Sequence, residues 1–287
     1  MAQFTNSAAL SYNGTTLRSN TVTGQLLDTV AVTKTATAEQ YAPGEELAYI
    51  VTLTNSADTE VTGLTVTDDL GAYSVGTETV YPLEYQAGTL RSFVNGVPQS
   101  TPTVSAGPPL TVTGLSIPAG GDLELVYEAA PTAYASPEPG STITNTATAT
   151  GGGLSAPATA SVSISAASGA QMRITKTLSP ATVSPGGQLS YSFLIENSGG
   201  TPVTAADALV LSDTFDPLLS GLSVTYNGTP WAVTTNYTYD AASGAFATVP
   251  GQITLPAAQF VQETDGTWTV IPASVLCTVT GTVQPGT

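Results

Sequence analysis

Tyr49-Ile50-Val51-Thr52-Leu53-Thr54 puts Tyr49, Val51 and Leu53 on one face and Ile50, Thr52 and Thr54 on the other, the period-two pattern of a half-buried strand. Leu64-Thr65-Val66-Thr67 and Tyr191-Ser192-Phe193-Leu194-Ile195 read the same way, between Pro-Gly and Asn-Gly turns. Helical periodicity is absent, so the chain is all-β and of sandwich type.

Working outward from Tyr49, the segment proves to be repeated. Val32-Thr33-Lys34-Thr35, Pro43-Gly44, Leu47, Tyr49 and Asn55-Ser56 return as Ile174-Thr175-Lys176-Thr177, Pro185-Gly186, Leu189, Tyr191 and Asn197-Ser198, with no gap between them. Val66-Thr67-Asp68 matches Leu211-Ser212-Asp213, the turns Asn95-Gly96 and Asn227-Gly228 correspond, and Ile117-Pro118-Ala119 is matched to Ile271-Pro272-Ala273. Two tandem Ig-like Greek-key β-sandwiches are expected, one over residues 25–168 and the other over 169–287.

These residues resemble the conserved repeat of bacterial surface proteins known as domain of unknown function eleven. Its marks are a T-K-T opening strand, a Y-x-x-x-x-x-N strand, a T-D turn and a T-N-T-A-T closing strand. The resemblance implies an extracellular array with a structural, non-enzymatic role.

The chain departs from that pattern at its ends. The first copy has its closing strand, Thr142-Ile143-Thr144-Asn145-Thr146-Ala147-Thr148, whereas the second reaches Pro285-Gly286-Thr287 where that strand should begin. The missing motif lies at the other end: Phe4-Thr5-Asn6-Ser7-Ala8-Ala9-Leu10 matches Ile143–Ala149. Residues 1–24 are therefore expected to be a donor strand and connector, with Phe4, Asn6, Ala8, Leu10 and Tyr12 facing the core they complete. A sandwich short of a strand exposes unpaired backbone and part of its core. Insertion of the strand from a second copy satisfies both, and a heterologous contact of this kind propagates head to tail. The competing reading folds residues 1–24 back onto the second sandwich of the same chain.

Composition excludes much else. With 21 Asp plus Glu, 5 Lys plus Arg and no His among 287 residues, the net charge is −16. That disfavours nucleic acid as a partner and removes His-dependent nucleophile pairs and His-ligated metals. One cysteine, Cys277, allows no internal disulfide. Cys277 is read as a small core residue aligned with Leu123. No apolar run approaches the ~18 residues of a membrane span, and no D-x-D-x-D-G loop suggests calcium. Neither a cofactor, a metal nor a small-molecule substrate is expected. Met1-Ala2-Gln3-Phe4-Thr5 has neither the basic flank nor the apolar core of a leader. The expected location is extracellular, on a cell or spore surface, reached after leader removal or by lysis. Asn13-Gly14-Thr15, Asn227-Gly228-Thr229 and Asn236-Tyr237-Thr238 fit the glycosylation sequon, a match that arises easily in a Thr-rich chain.

The only lysines, Lys34 and Lys176, occupy the same place in the two copies. Alternation aims Lys34 inward with Val30 and Val32, and Lys176 inward with Met172, Ile174 and Leu178. Asp68 and Asp213 point inward by the same rule, as do Asn145 and its counterpart Asn6. An inward Lys, Asp and Asn resemble the autocatalytic isopeptide sites of Gram-positive pilins and adhesins. There Lys attacks the Asn amide, a buried acid shuttles the proton and ammonia leaves. Burial favours the neutral amine this needs. The competing reading is a buried Lys–Asp ion pair beside a hydrogen-bonded Asn. Asn55 and Asn197, each preceding a loop, read as turn residues.

Together these features point to the structural subunit of a self-assembling extracellular bacterial filament, joined by donor-strand exchange and locked by Lys34–Asn145 and Lys176–Asn6 bonds with Asp68 and Asp213 as proton shuttles. The alternative is a stalk or adhesin segment of a larger surface protein. A carboxylate-pair glycan enzyme is disfavoured, because the best-placed acids face separate cores.

Overall fold

The structure, a computed structural model, describes residues 2–26 and 29–284. Pro285-Gly286-Thr287, read above as the stop before a closing strand, lies outside the described residues. The chain is all-β and divides into two compact units, one built chiefly from residues 1–166 and the other from 167–287.

The first unit begins with a hairpin. Strand β1 (Ala2–Asn6) pairs antiparallel with β4 (Val22–Leu26), and β2 (Ala9–Tyr12) with β3 (Thr15–Arg18). Asn13 and Gly14 turn the chain at φ 46° and 82°, the left-handed values that a two-residue hairpin turn demands and Asn-Gly supplies. Residues 13–24, expected as connector, are therefore mostly a return strand. One extra residue on that return strand separates the two ladders: Asn6 faces Val22, but Ala9 faces Arg18.

A sandwich follows, built from β5 (Val30–Ala36), β6 (Leu47–Asn55), β7 (Val61–Asp68), β8 (Arg91–Val94), β9 (Leu110–Ile117), β10 (Asp122–Pro131), β11 (Thr142–Gly151) and β12 (Ala158–Ala166). One sheet runs β8-β10-β6-β5, the other β9-β7-β11-β12, with short strands at their edges. Tyr49, Leu53, Leu64, Ile117, Leu125, Ala147 and Ala149 fill the space between the sheets. All follow the alternation of their strands. Strand β12, more than β11, packs across β5 and closes that side of the core.

The second unit repeats this plan with β13 (Met172–Ser179), β14 (Gln188–Asn197), β15 (Ser212–Thr214), β16 (Leu219–Tyr226), β17 (Tyr237–Tyr239), β18 (Ala245–Thr248), β19 (Gln259–Gln262), β20 (Trp268–Ile271) and β21 (Ala273–Val283). Lys176 faces Phe193 across β13–β14 as Lys34 faces Val51 across β5–β6. Two alignments change. Cys277 lies opposite Phe193, the place of Leu125 opposite Val51, so its counterpart is Leu125, two residues from Leu123. Val203 bridges Leu255 as Val61 pairs with Ile117, which makes Leu255-Pro256-Ala257 the true match of Ile117-Pro118-Ala119. The β19–β20 hairpin is inserted after it and displaced the apparent motif to Ile271-Pro272-Ala273.

The decisive difference lies at one edge. Strand β7 is paired on both sides, with β9 and with β11, where Ala147 faces Asp68 and Ala149 faces Val66. Its counterpart β15 pairs only with β18. Among the described residues of the second unit no strand takes the place of β11 or β12.

Candidate functional site

In the first unit four polar side chains meet inside the core. Lys34 on β5, Asp68 at the end of β7 and Asn145 on β11 are 6%, 2% and 0% exposed. Lys34 Nζ donates to Asp68 Oδ2, and the Tyr127 hydroxyl donates to the same oxygen at 2.5 Å. Asn145 Nδ2 in turn donates to the Tyr127 oxygen at 3.5 Å, while Asp68 Oδ1 accepts the Leu70 amide at 3.1 Å. Amine, carboxyl and amide are thus linked in one chain through Tyr127. Asn145 Oδ1 and the Tyr49 hydroxyl are buried and neither makes a well-formed hydrogen bond, although the two side chains lie close enough to interact with each other. A buried carbonyl oxygen without a well-formed hydrogen bond is costly and favours any donor that reaches it.

Burial pushes the Lys34 amine below its ordinary value, outweighing the opposing pull of Asp68. It raises the Tyr127 hydroxyl well above its ordinary value, helped by the charge of Asp68. The site therefore favours a less charged amine beside a phenol that keeps its proton. Tyr127 escaped the sequence reading, although the alternation Leu123, Leu125, Tyr127 on β10 aims it inward. A buried tyrosine among leucines looks like packing until its hydroxyl partner is seen.

The second unit holds half of this arrangement. Lys176 Nζ donates to Asp213 Oδ2, but their side chains are 42% and 18% exposed. Lys176 lies over the Tyr191 ring, 4.5 Å from its centroid. Val279 faces Tyr191 as Tyr127 faces Tyr49, so the hydroxyl is missing. No asparagine of this unit takes the place of Asn145 among the described residues. Asn197, like Asn55, is spent on a turn: its Nδ2 donates to Thr201 and Pro256 carbonyls, as Asn55 does to Thr59 and Pro118. Cys277 is buried, which pushes its thiol up to about 11 and disfavours a reactive thiolate.

Beside this half-site the core is open. Met172, Ile174 and Leu178 on β13 are 40%, 55% and 50% exposed, although their counterparts on β5 point into a closed sandwich. Met172, Ile174, Ile195, Leu209, Leu211 and Ile253 line a pocket of about 180 Å³. Their counterparts Val30, Val32, Leu53, Leu64, Val66 and Leu115 are closed over in the first unit. The N-terminal hairpin shows the opposite imbalance: Phe4, Leu10, Tyr12, Leu17 and Val22 are all at least half exposed. Asn6 and Ala8 are exposed as well, so none of the expected donor residues is buried within its own chain.

No family model matches the chain, and no curated protein matches its sequence. Solved structures similar to it include a variant of BcpA, the major pilin subunit of Bacillus cereus (14% identity, 85% of this chain, 65% of that chain, TM-score 0.38). The full-length major pilin SpaD of Corynebacterium diphtheriae is 11% identical over 84% of this chain and 59% of its own, with TM-score 0.36. A C-terminal fragment of the major pilin of Streptococcus agalactiae is 14% identical over 85% of each chain, with TM-score 0.35. The chain thus spans less than two thirds of the length of the first two pilins. No helix among the described residues is long and apolar enough to cross a membrane.

Proposed function

We propose that this protein is the structural subunit of an extracellular filament, in which the N-terminal segment of one copy completes the second sandwich of the next. The carrying observation is the open edge of β15 with the uncovered β13 face, set against an exposed N-terminal segment whose sequence matches β11. The contact is heterologous, so repetition builds a linear polymer. The role is structural, without turnover.

Within each completed core the Lys amine attacks Cγ of the Asn amide. The new C–N bond replaces the bond to Nδ2; the neutral amine gives up one of its two protons and keeps the other as the isopeptide N–H, and the amide nitrogen leaves as ammonia with that one proton. Asp68 relays that proton for Lys34 and Asn145, and Asp213 does so for Lys176 and the incoming Asn6. Fixing the groups in a folded core supplies the effective concentration that the uncatalysed reaction lacks.

Deleting residues 1–24 is expected to leave a soluble, folded subunit that forms no fibres in negative-stain electron microscopy. Fibres of unchanged appearance from the truncated chain would overturn the reading.

A further inference from the structure

Resting on that assembly reading, we propose that the donated element is the whole hairpin of residues 2–26, docked preformed as two strands, rather than a single strand drawn out of it. Among its described residues the receiving unit shows no counterpart of two strands, β11 and β12, and in the complete unit β12 does most of the covering of β5. A single donor strand beside β15 would pair the open edge yet leave Met172, Ile174 and Leu178 on β13 largely wet. A second strand beyond it covers them.

In its first ladder, β1–β4, the N-terminal hairpin supplies that pair in register; beyond it the extra residue on the return strand shifts the second ladder by one, so that Leu10 faces Leu17 where the β11–β12 register would have Arg18. In the complete unit β11 faces β12 with Asn145 opposite Val162 and Ile143 opposite Ile164. In the hairpin Asn6 is opposite Val22 and Phe4 is opposite Gly24. Asn6 and Val22 thus reproduce Asn145 and Val162 together, though only Asn6 was chosen by its motif. At the next pair the sizes are exchanged: an added Cβ at Gly24 would stand 2.4 Å from Phe4 Cζ, so the Phe4 ring occupies the room that Ile164 shares with Ile143. Both hairpins also lead directly into the first strand of the following sandwich, β12 into β13 and β4 into β5.

The register of β11 on β7 places the donor on β15. Ala147 opposite Asp68 becomes Ala8 opposite Asp213, and Ala149 opposite Val66 becomes Leu10 opposite Leu211. Leucine at the place of alanine suits the pocket of about 180 Å³ that Leu211 lines. Leu17 faces Leu10 across the hairpin and shares its side, extending the apolar surface toward the turn. A preformed hairpin also avoids the cost of breaking the β1–β4 and β2–β3 ladders before docking.

Three full-length variants test this by fibre formation in electron microscopy and sedimentation. Leu10→Asp is expected to abolish fibres; if it does not, the assembly reading itself fails. Val22→Asp, on the return strand and exposed in the free subunit, is expected to abolish them equally; normal fibres from Val22→Asp beside a blocked Leu10→Asp would overturn the hairpin alone. In Thr5→Cys/Thr23→Cys the paired positions sit on the side opposite Phe4 and Asn6. Its oxidised form, with β1 locked to β4, is expected to polymerise as the reduced form does. Assembly only after reduction would show that the strand must be unzipped.

Discussion

At the scale of single residues, Lys34, Asp68, Tyr127 and Asn145 stand or fall as a unit. Closure of Lys34 on Asn145 releases one ammonia, so the intact mass of the soluble subunit is expected to fall short of its sequence by that amount. Asp68→Ala restores the full mass and leaves a buried amine without its carboxylate, at a cost of roughly 3–5 kcal/mol in chemical denaturation. A full-length mass for the wild type would leave the ion pair as the whole account. Titration offers a second test in Asn145→Ala, where no bond can form and Lys34 keeps its amine. Burial lowers that amine's pKa in the folded state, so between the folded value and the unfolded 10.5 the unfolded chain binds more protons. In the Asn145→Ala background the Lys34 contribution to stability is therefore expected to rise with pH as 10.5 is approached from below, read as the difference from Asn145→Ala/Lys34→Met because the buried tyrosines, whose hydroxyls are raised, lose stability in the same range. A difference that does not change with pH would place the titration elsewhere.

Among the strands, β13 and β15 are where the second sandwich is vulnerable. Ile174 is 55% exposed, so Ile174→Asp is expected to change the unfolding free energy of the soluble subunit by no more than about 0.5 kcal/mol. Fibre formation should nevertheless be lost, because in the proposed assembly the same position becomes core and a buried lone carboxylate is heavily penalised. An Ile174→Asp subunit that assembles normally would mean that the uncovered β13 face is not an interface. The first sandwich provides the contrast: the matching Val32 is already packed against the core, and Val32→Asp is expected to unfold the unit outright.

For the whole molecule, the two lysine sites differ in when they are complete. The first has all its groups within one sandwich, whereas among the described residues of the second unit none takes the place of Asn145, and in the proposed assembly a partner supplies it. Boiling fibres in detergent is therefore expected to leave a ladder of subunit multiples, lost in Lys176→Ala and in Asn6→Ala but kept in Lys34→Ala. Collapse of wild-type fibres to monomer would leave docking alone to hold the junction, with any persistence kinetic in origin.

Much of this was legible along the chain because a strand's side-chain period is two. Alternation alone put Lys34, Asp68 and Asn145 on inward faces, and all three are buried. The repeat likewise exposed the match between Phe4–Leu10 and β11. What alternation leaves open is which strand lies beside which, since sheet pairing joins residues far apart in sequence. Tyr127 became part of the site only when β10 carried it to the same carboxylate oxygen as Lys34. Asn13-Gly14-Thr15, weighed as a sequon, turned out to be the bend that makes residues 2–26 a hairpin. Ile271-Pro272-Ala273 misled because an inserted hairpin moved a look-alike motif next to β21, while backbone pairing picked out Leu255-Pro256. Strand faces and the repeat can be read along the chain because they are local periodic properties. That two strand places stand open among the described residues, and that a two-strand element is exposed, emerges from the folded chain alone, because both follow from non-local hydrogen bonding between sheet edges.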